Sequence, residues 1–177
     1  MQHFAKSIRS MNKAIFFDRD GTLNVEVGYL YKFDDFRWID GAIDAVKFCN
    51  DNNYLAIVVT NQSGVARGYY TEADVNKLHQ QMNEELNKYG THIDDFFYCP
   101  HHPDGVVDKY RLDCECRKPK SGLIEAACRK YDIDKSKSLM IGDMPRDVEC
   151  AENSGICGVL FDGGNLLHTL KNKLTQL

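Results

Sequence analysis

Ala14-Ile15-Phe16-Phe17-Asp18-Arg19-Asp20-Gly21-Thr22 reads as a short apolar strand that carries two carboxylates to its carboxyl end. Four apolar residues without alternation suit a strand covered on both faces, as in a parallel sheet. Leu55 to Val59 before Thr60-Asn61, and Leu139-Met140-Ile141 before Gly142-Asp143, repeat the pattern of an apolar run ending in polar groups. Phe96-Phe97-Tyr98 and Val159-Leu160-Phe161 are two further candidate strands.

Helical patterns lie between these runs. Ala42 to Asn50 places Ile43, Val46 and Cys49 inward, and a longer segment carries Val75, Leu78, Met82, Leu86 and Tyr89 at spacings of three and four. Thr71 and Ser121 are expected N-caps, the second opening a helix over Gly122 to Tyr131, and Gly155 is the expected stop after Arg146 to Ser154. Alternating strands and helices predict a three-layer α/β domain with a mostly parallel sheet, whose ligands sit at the carboxyl ends of the strands. No internal repeat or low-complexity linker interrupts it. The expected domain covers residues 13–177, and residues 1–12 are expected to be an N-terminal extension.

The chain has 177 residues, 43% of them hydrophobic, enough for one domain with a sizeable core. A net charge of -4 with a pI near 5.8 lacks the basic stripe that nucleic-acid or anionic-membrane binding needs. A small-molecule partner and a monomer are the expectation. No apolar stretch approaches the roughly 20 residues of a membrane span, and the first twelve residues lack a signal-peptide core, so a cytoplasmic location is expected. Seven cysteines, an odd number, argue against a disulfide framework. Cys49, Cys128, Cys150 and Cys157 fall within apolar patterns and are expected to be small buried hydrophobes.

Asp18 and Asp20, two apart on an extended segment, can address one substrate together, one attacking and the other moving a proton. Taken alone, Asp-x-Asp-Gly could be a turn. Thr60 and Asn61, Lys118 before a capped helix, and Gly142-Asp143 with Asp147 place further phosphate-handling groups at other element ends.

This set, Asp18-Arg-Asp-Gly-Thr22, Thr60, Lys118 and Gly142-Asp143-x-x-x-Asp147, resembles the four motifs of the haloacid dehalogenase superfamily of phosphatases. The match runs over about residues 14 to 161 and implies that superfamily's Rossmann-like fold. It also implies that Asp18 is the nucleophile of an aspartyl-phosphate mechanism and that Asp20 is the acid and then the base. Asp20 would then hold a proton beside an ionised Asp18. Magnesium would be held by the Asp18 and Asp143 carboxylates and the Asp20 carbonyl, with Asp147 supporting the site rather than ligating. Thr60, Asn61 and Lys118 would hold the phosphoryl oxygens.

Cys99-Pro100-His101 and Cys114-Glu115-Cys116 bracket a polar loop, Pro103 to Asp113. Three thiolates and one imidazole make a closed tetrahedral zinc site, structural because no position remains for water. Spacing leaves His101 and His102 equally open as the nitrogen ligand. Cys-Pro-His-His-Pro, Cys-x-Cys-Arg-Lys-Pro and Thr60-Asn-Gln-Ser-Gly-Val-Ala-Arg-Gly68 resemble the D-glycero-D-manno-heptose 1,7-bisphosphate 7-phosphatase family. That resemblance implies His101 as the ligand, and substrate contacts from Glu26, Val27, Gly28 and Tyr29, from Thr60, Asn61, Gln62 and Ser63, and from Arg117 and Lys118. A zinc-tied Cys116 would fix the backbone before Arg117, which suits the phosphate that is not cleaved. Met144 departs from the family, which often has a substrate-contacting lysine there.

The enzymatic rival is a histidinol-phosphate phosphatase, related in its motifs and zinc loop. The longer cysteine-to-cysteine loop and Arg67-Gly68 favour the heptose reading. A rival of another class, a zinc-loop binding module without activity, conflicts with the acidic balance and the intact catalytic set.

Overall fold

The computed structural model describes residues 11–176. Five strands form one sheet: β1 (Lys13–Phe17), β2 (Tyr54–Asn61), β3 (Asp95–Cys99), β4 (Leu139–Gly142) and β5 (Cys157–Leu160), in spatial order β3-β2-β1-β4-β5. Every neighbouring pair is parallel, with Phe17 opposite Val58 on one side and Ile141 on the other. The expected residues 1–10 of an extension lie outside the described residues. Asn12 already belongs to the sheet domain: its N–H donates to the Asp132 carbonyl and its own carbonyl accepts from the Asp134 N–H.

The apolar runs without alternation have the predicted cause. Ile15 and Phe17, Ala56 and Val58, and Leu139 and Ile141 enter one core, while Ala14 and Phe16, Ile57 and Val59, and Met140 enter another on the opposite face. Helices α1 (Ala42–Asp51), α2 (Glu72–Asn87) and α5 (Leu166–Leu174) cover the first face; α3 (Gly122–Tyr131) and α4 (Pro145–Asn153) cover the second. This is the three-layer arrangement that a sheet with two apolar faces requires.

Helix α2 buries Val75, Leu78, Met82 and Leu86 as the spacing predicts, but Tyr89 is exposed. The helix ends at Asn87 and the chain turns at Gly90, which has a positive φ of 68°, so Tyr89 leaves the periodic face. Val46 and Cys49 are buried and Ile43 is half-buried. Cys128 and Cys150 are buried, whereas Cys157 is only half-buried because β5 is an edge strand. Helix α5 has no counterpart in the sequence reading.

Thr71 caps α2 with a reciprocal box: its Oγ1 accepts from the Asp74 N–H at 3.2 Å, and Asp74 Oδ2 accepts from the Thr71 N–H at 2.8 Å. Ser121, in contrast, makes no side-chain cap bond to α3. Thr71→Ala should therefore cost about 1 kcal/mol in denaturant unfolding and leave catalytic constants unchanged. A change below about 0.3 kcal/mol would show that the box contributes nothing.

Because β1 lies between β2 and β4, the chain runs outward in opposite directions from it. A crevice forms at the carboxyl ends where the direction switches, the place where open α/β sheets bind ligands. Asp18 follows β1, Thr60 and Asn61 end β2, and Asp143 follows β4.

Candidate active site

Lys118 is the electrostatic centre of the crevice. It is 2% exposed, and its Nζ donates to Asp18 Oδ1 at 2.7 Å and to the Val59 carbonyl at 2.8 Å, and pairs with Asp147 Oδ1 at 2.7 Å. Two of these contacts are hydrogen bonds and the third is an ion pair. Burial works against its charge, but Asp18 and Asp147 outweigh that and hold its pKa above the ordinary lysine value. Asn61 fixes the segment: Oδ1 accepts from the Lys118 N–H at 3.0 Å, and Nδ2 donates to the Lys118 carbonyl at 3.1 Å. The Asn61 side chain is thus a clamp on the Lys118 backbone, and the residue lines the site as expected of a phosphate contact.

Asp18 is buried, and burial pushes its carboxyl up to about 7, against the pull of Lys118 and with added repulsion from Asp147 and Asp20. Asp143 is half-buried, its pKa raised first by burial, and its Oδ1 is buried without a partner. Oxygens of Asp18, Asp143 and Asp147 all lie within 4.8 Å of one another. Asp147 Oδ2 accepts from the Met144 N–H at 3.0 Å, while Oδ1 lies 2.7 Å from Lys118 Nζ as an ion pair and has no hydrogen-bond partner. This cluster of carboxylate oxygens is a hard donor set that fits magnesium. Gly21, at φ 84°, leaves this space open, since a Cβ there would collide with the Asp143 carboxylate.

Asp20 sits in a separate network. Arg19, fully buried, donates Nη2 to Asp20 Oδ2 at 2.9 Å and Oδ1 at 3.0 Å. Asn24 Nδ2 and Gln62 Nε2 donate to the same carboxylate at 3.1 and 2.9 Å. Gln62 Nε2 also donates to Thr60 Oγ1 at 2.9 Å, while its Oε1 accepts from Tyr70 Oη at 2.7 Å. His79, whose pKa burial and then Arg19 push well below the ordinary value, is neutral, and its Nε2 faces Arg19 Nη1 at 3.4 Å. Every partner of Asp20 is a donor. For Asp20 to pass a proton to a leaving oxygen, one of these bonds must yield.

Two adjoining chambers open here. The inner, about 140 Å³, is lined by Asp18, Asp20, Glu26, Thr60, Asn61, Lys118, Asp143, Met144 and Arg146. The outer, about 210 Å³, is lined by Asp20, Glu26, Gly28, Tyr29, Asn61, Gln62, Ser63, Tyr70, Arg117 and Arg146. Of the expected substrate contacts only Val27 lies outside both. The chain reverses at Gly28, φ 73°, and Val27 lines a neighbouring depression with Leu30 and Arg37 instead. Sequence reasoning missed Arg19, Tyr70, His79 and Arg146. Only Arg146 left a local signal, as a cation two residues from the position where a lysine is absent.

Cys99, His101, Cys114 and Cys116 converge, with Cys99 and Cys114 Sγ 3.4 Å apart, Cys114 and Cys116 Sγ 3.2 Å, and His101 Nδ1 3.8 and 3.4 Å from Cys99 and Cys116. A tetrahedron with zinc bonds of about 2.0–2.3 Å has edges of about 3.3–3.8 Å, so this set fits zinc. His102 is turned elsewhere: its Nδ1 accepts from the Asp104 N–H at 3.1 Å, and its Nε2 faces Arg67. Cys99 is packed in the second core at the end of β3, and Cys116 directly precedes Arg117. The loop is thereby tied to the sheet at the residue that presents Arg117 to the outer chamber.

Comparison with known proteins agrees with this geometry. Residues 115–174 match the HAD-hydrolase-like family model. A D-glycero-β-D-manno-heptose-1,7-bisphosphate 7-phosphatase of Haemophilus influenzae is 45% identical over 139 residues, 78% of this chain and 75% of the relative. The same-named protein of Rhodopseudomonas palustris is 41% identical over 164 residues, 93% of this chain and 91% of the relative. Among solved structures, D,D-heptose 1,7-bisphosphate phosphatase from B. bronchiseptica, complexed with magnesium and phosphate, superposes with a TM-score of 0.75 at 33% identity, covering 90% of this chain and 86% of that one. A HAD-like phosphatase from Mesorhizobium loti gives a TM-score of 0.82 at 31% identity, covering 87% and 74%. With such identity over most of its length, and with the sheet, carboxylate set and zinc-type loop in one chain, this protein belongs to the heptose-1,7-bisphosphate 7-phosphatase family of haloacid dehalogenase-like phosphatases.

Proposed function

We propose that the chain hydrolyses the 7-phosphate of D-glycero-D-manno-heptose 1,7-bisphosphate, leaving heptose 1-phosphate for nucleotide-activated heptose synthesis. The observation that carries this reading is the pair of adjoining chambers, one built around Asp18 and Lys118 and the other rimmed by Arg117. A sugar with a phosphate at each end can occupy both.

In the first step an Asp18 oxygen forms a bond to phosphorus as the bond from phosphorus to O7 breaks, and Asp20 gives its proton to O7. In the second, Asp20 takes a proton from water, the resulting hydroxide attacks phosphorus, and the Asp18 ester breaks to release phosphate and restore both carboxyl groups. Lys118 balances the charge of Asp18 and the transferring group, and Thr60 and Lys118 face the phosphoryl oxygens. Asp18, Asp143 and the Asp20 carbonyl would hold magnesium, which would supply charge neutralisation there. Gln62 orients Asp20 and Thr60, and Glu26, Gly28, Tyr29, Ser63 and Arg117 line the path of the sugar. The zinc ligands Cys99, His101, Cys114 and Cys116 have a structural role.

The deciding measurement is kcat/KM on both anomers of the bisphosphate and on histidinol phosphate with magnesium present. Relatives named for the β and the α anomer match at 45% and 44% identity, so both anomers belong in the panel. Faster turnover of histidinol phosphate would replace this reading with its rival. Removing zinc with a chelator should raise KM about tenfold or more before the sheet melts, because Arg117 loses its anchor while the cores do not. KM and thermal unfolding followed across a chelator titration check this; equal loss of both would refute the separation.

A further inference from the structure

Among the described residues, Arg146 is the one cation that borders both chambers. It is the second residue of α4 and lines the inner chamber beside Met144 and Asp143, and the outer one beside Arg117. It is exposed, and none of the ion pairs among the described residues involves it. The carboxylates around it are otherwise occupied. Asp20 is bound by Arg19, Glu26 Oε1 accepts from the Gly28 N–H, and Asp143 faces the cation position.

Arg117 is likewise without a carboxylate among the described residues, its contact being Nη1 donating to the His101 carbonyl at 3.3 Å. Arg117 and Arg146 line the outer chamber together. Two guanidinium groups on the walls of the outer chamber, with no carboxylate ion-paired to either among the described residues, leave their N–H donors available to an anion. Met144 adds only a thioether to the wall, 39% exposed. Pro145, at the first position of α4, fixes the start of the helix, and the chamber-lining cation comes one residue later.

We propose that Arg146 is a specificity-determining residue that holds, with Arg117, the phosphate that is not cleaved, and that it supplies from position 146 the charge that Met144 does not. This rests on the bisphosphatase reading. A phosphate dianion offers three oxygens, enough for two planar forks approaching from different walls, and each charge-assisted pair adds orientation as well as affinity. A sugar with only the scissile phosphate leaves both arginines unused.

The test compares wild type, Arg146→Gln, and Arg146→Gln combined with Met144→Lys on heptose 1,7-bisphosphate and on heptose 7-phosphate, which lacks the second phosphate. Arg146→Gln should lower kcat/KM for the bisphosphate about tenfold to a hundredfold, mainly through KM. Turnover of the monophosphate should fall far less, so the preference for the bisphosphate collapses. Adding Met144→Lys should restore most of that preference. Arg146 is exposed, and matched thermal melts establish that the variant is folded. If wild type prefers the bisphosphate and Arg146→Gln keeps that preference, or loses activity equally on both sugars, the Arg146 assignment is overturned while the bisphosphatase reading stands. Failure of the added Met144→Lys change to restore the preference would overturn the exchange between the two positions. A wild-type enzyme that does not prefer the bisphosphate would overturn the bisphosphatase reading itself, and the Arg146 assignment with it.

Discussion

Asp18→Asn is expected to lower kcat by about 10⁴-fold or more while the sheet stays folded. Asparagine matches aspartate in shape but cannot form the covalent phosphate ester, and no other carboxylate can take its place. Asp20 is held by Arg19, Asn24 and Gln62, and Asp147 is held by Lys118 and the Met144 N–H. Stability should be kept because asparagine fills the space of the buried aspartate. Lys118 retains Asp147 as its counterion. Phosphate release from the bisphosphate and thermal melting of the same preparations check the two halves; turnover within tenfold of wild type would refute a nucleophilic Asp18.

The largest loss of stability is expected from Lys118→Met, about 3–5 kcal/mol in denaturant unfolding, with activity lost as well. Methionine fills similar space but leaves Asp18 and Asp147 facing each other in a dry site, both without their cation. Removing one member of a buried charge set costs far more than the set contributes net, because the remaining charges have neither water nor a partner. Asp147→Asn is the control: it leaves Lys118 with Asp18 and should cost clearly less. If Lys118→Met proved no less stable than Asp147→Asn, the ammonium would not be what holds this cluster together.

The strands were the most legible part of the fold. Ala14 to Phe17, Leu55 to Val59 and Leu139 to Ile141 each carry a local signal, since burial on both faces excludes polar residues from the run. Helix α2 was legible through its period and its capping box, up to Tyr89, where the turn at Gly90 ended a pattern that composition alone would continue. Helix α5 was missed. In the site, Asp18 and Asp143 could be named because each directly follows a strand, and Asp20 and Lys118 because they stand close to a strand's end and a helix's start. Arg19 could not, because a charged residue between two aspartates gives no sign that it will be fully buried.

By itself the sequence determined where the chemistry would lie: apolar runs dictate a parallel sheet, and the residues that end those runs must gather at its carboxyl edge. It also pointed to a cluster of three cysteines and one histidine in the loop between Cys99 and Cys116, without choosing between His101 and His102. Which groups meet followed from the packing of the chain. It set Lys118 between Asp18 and Asp147, made Asn61 a backbone clamp, chose His101 over His102, turned Val27 away, and brought Arg146 beside Arg117. The physical reason is one of range. Strand burial is a property of a few adjacent residues, whereas Lys118 and Asp18 lie 100 positions apart and acquire their distance, their shared burial and their charge states only once both cores have closed around them.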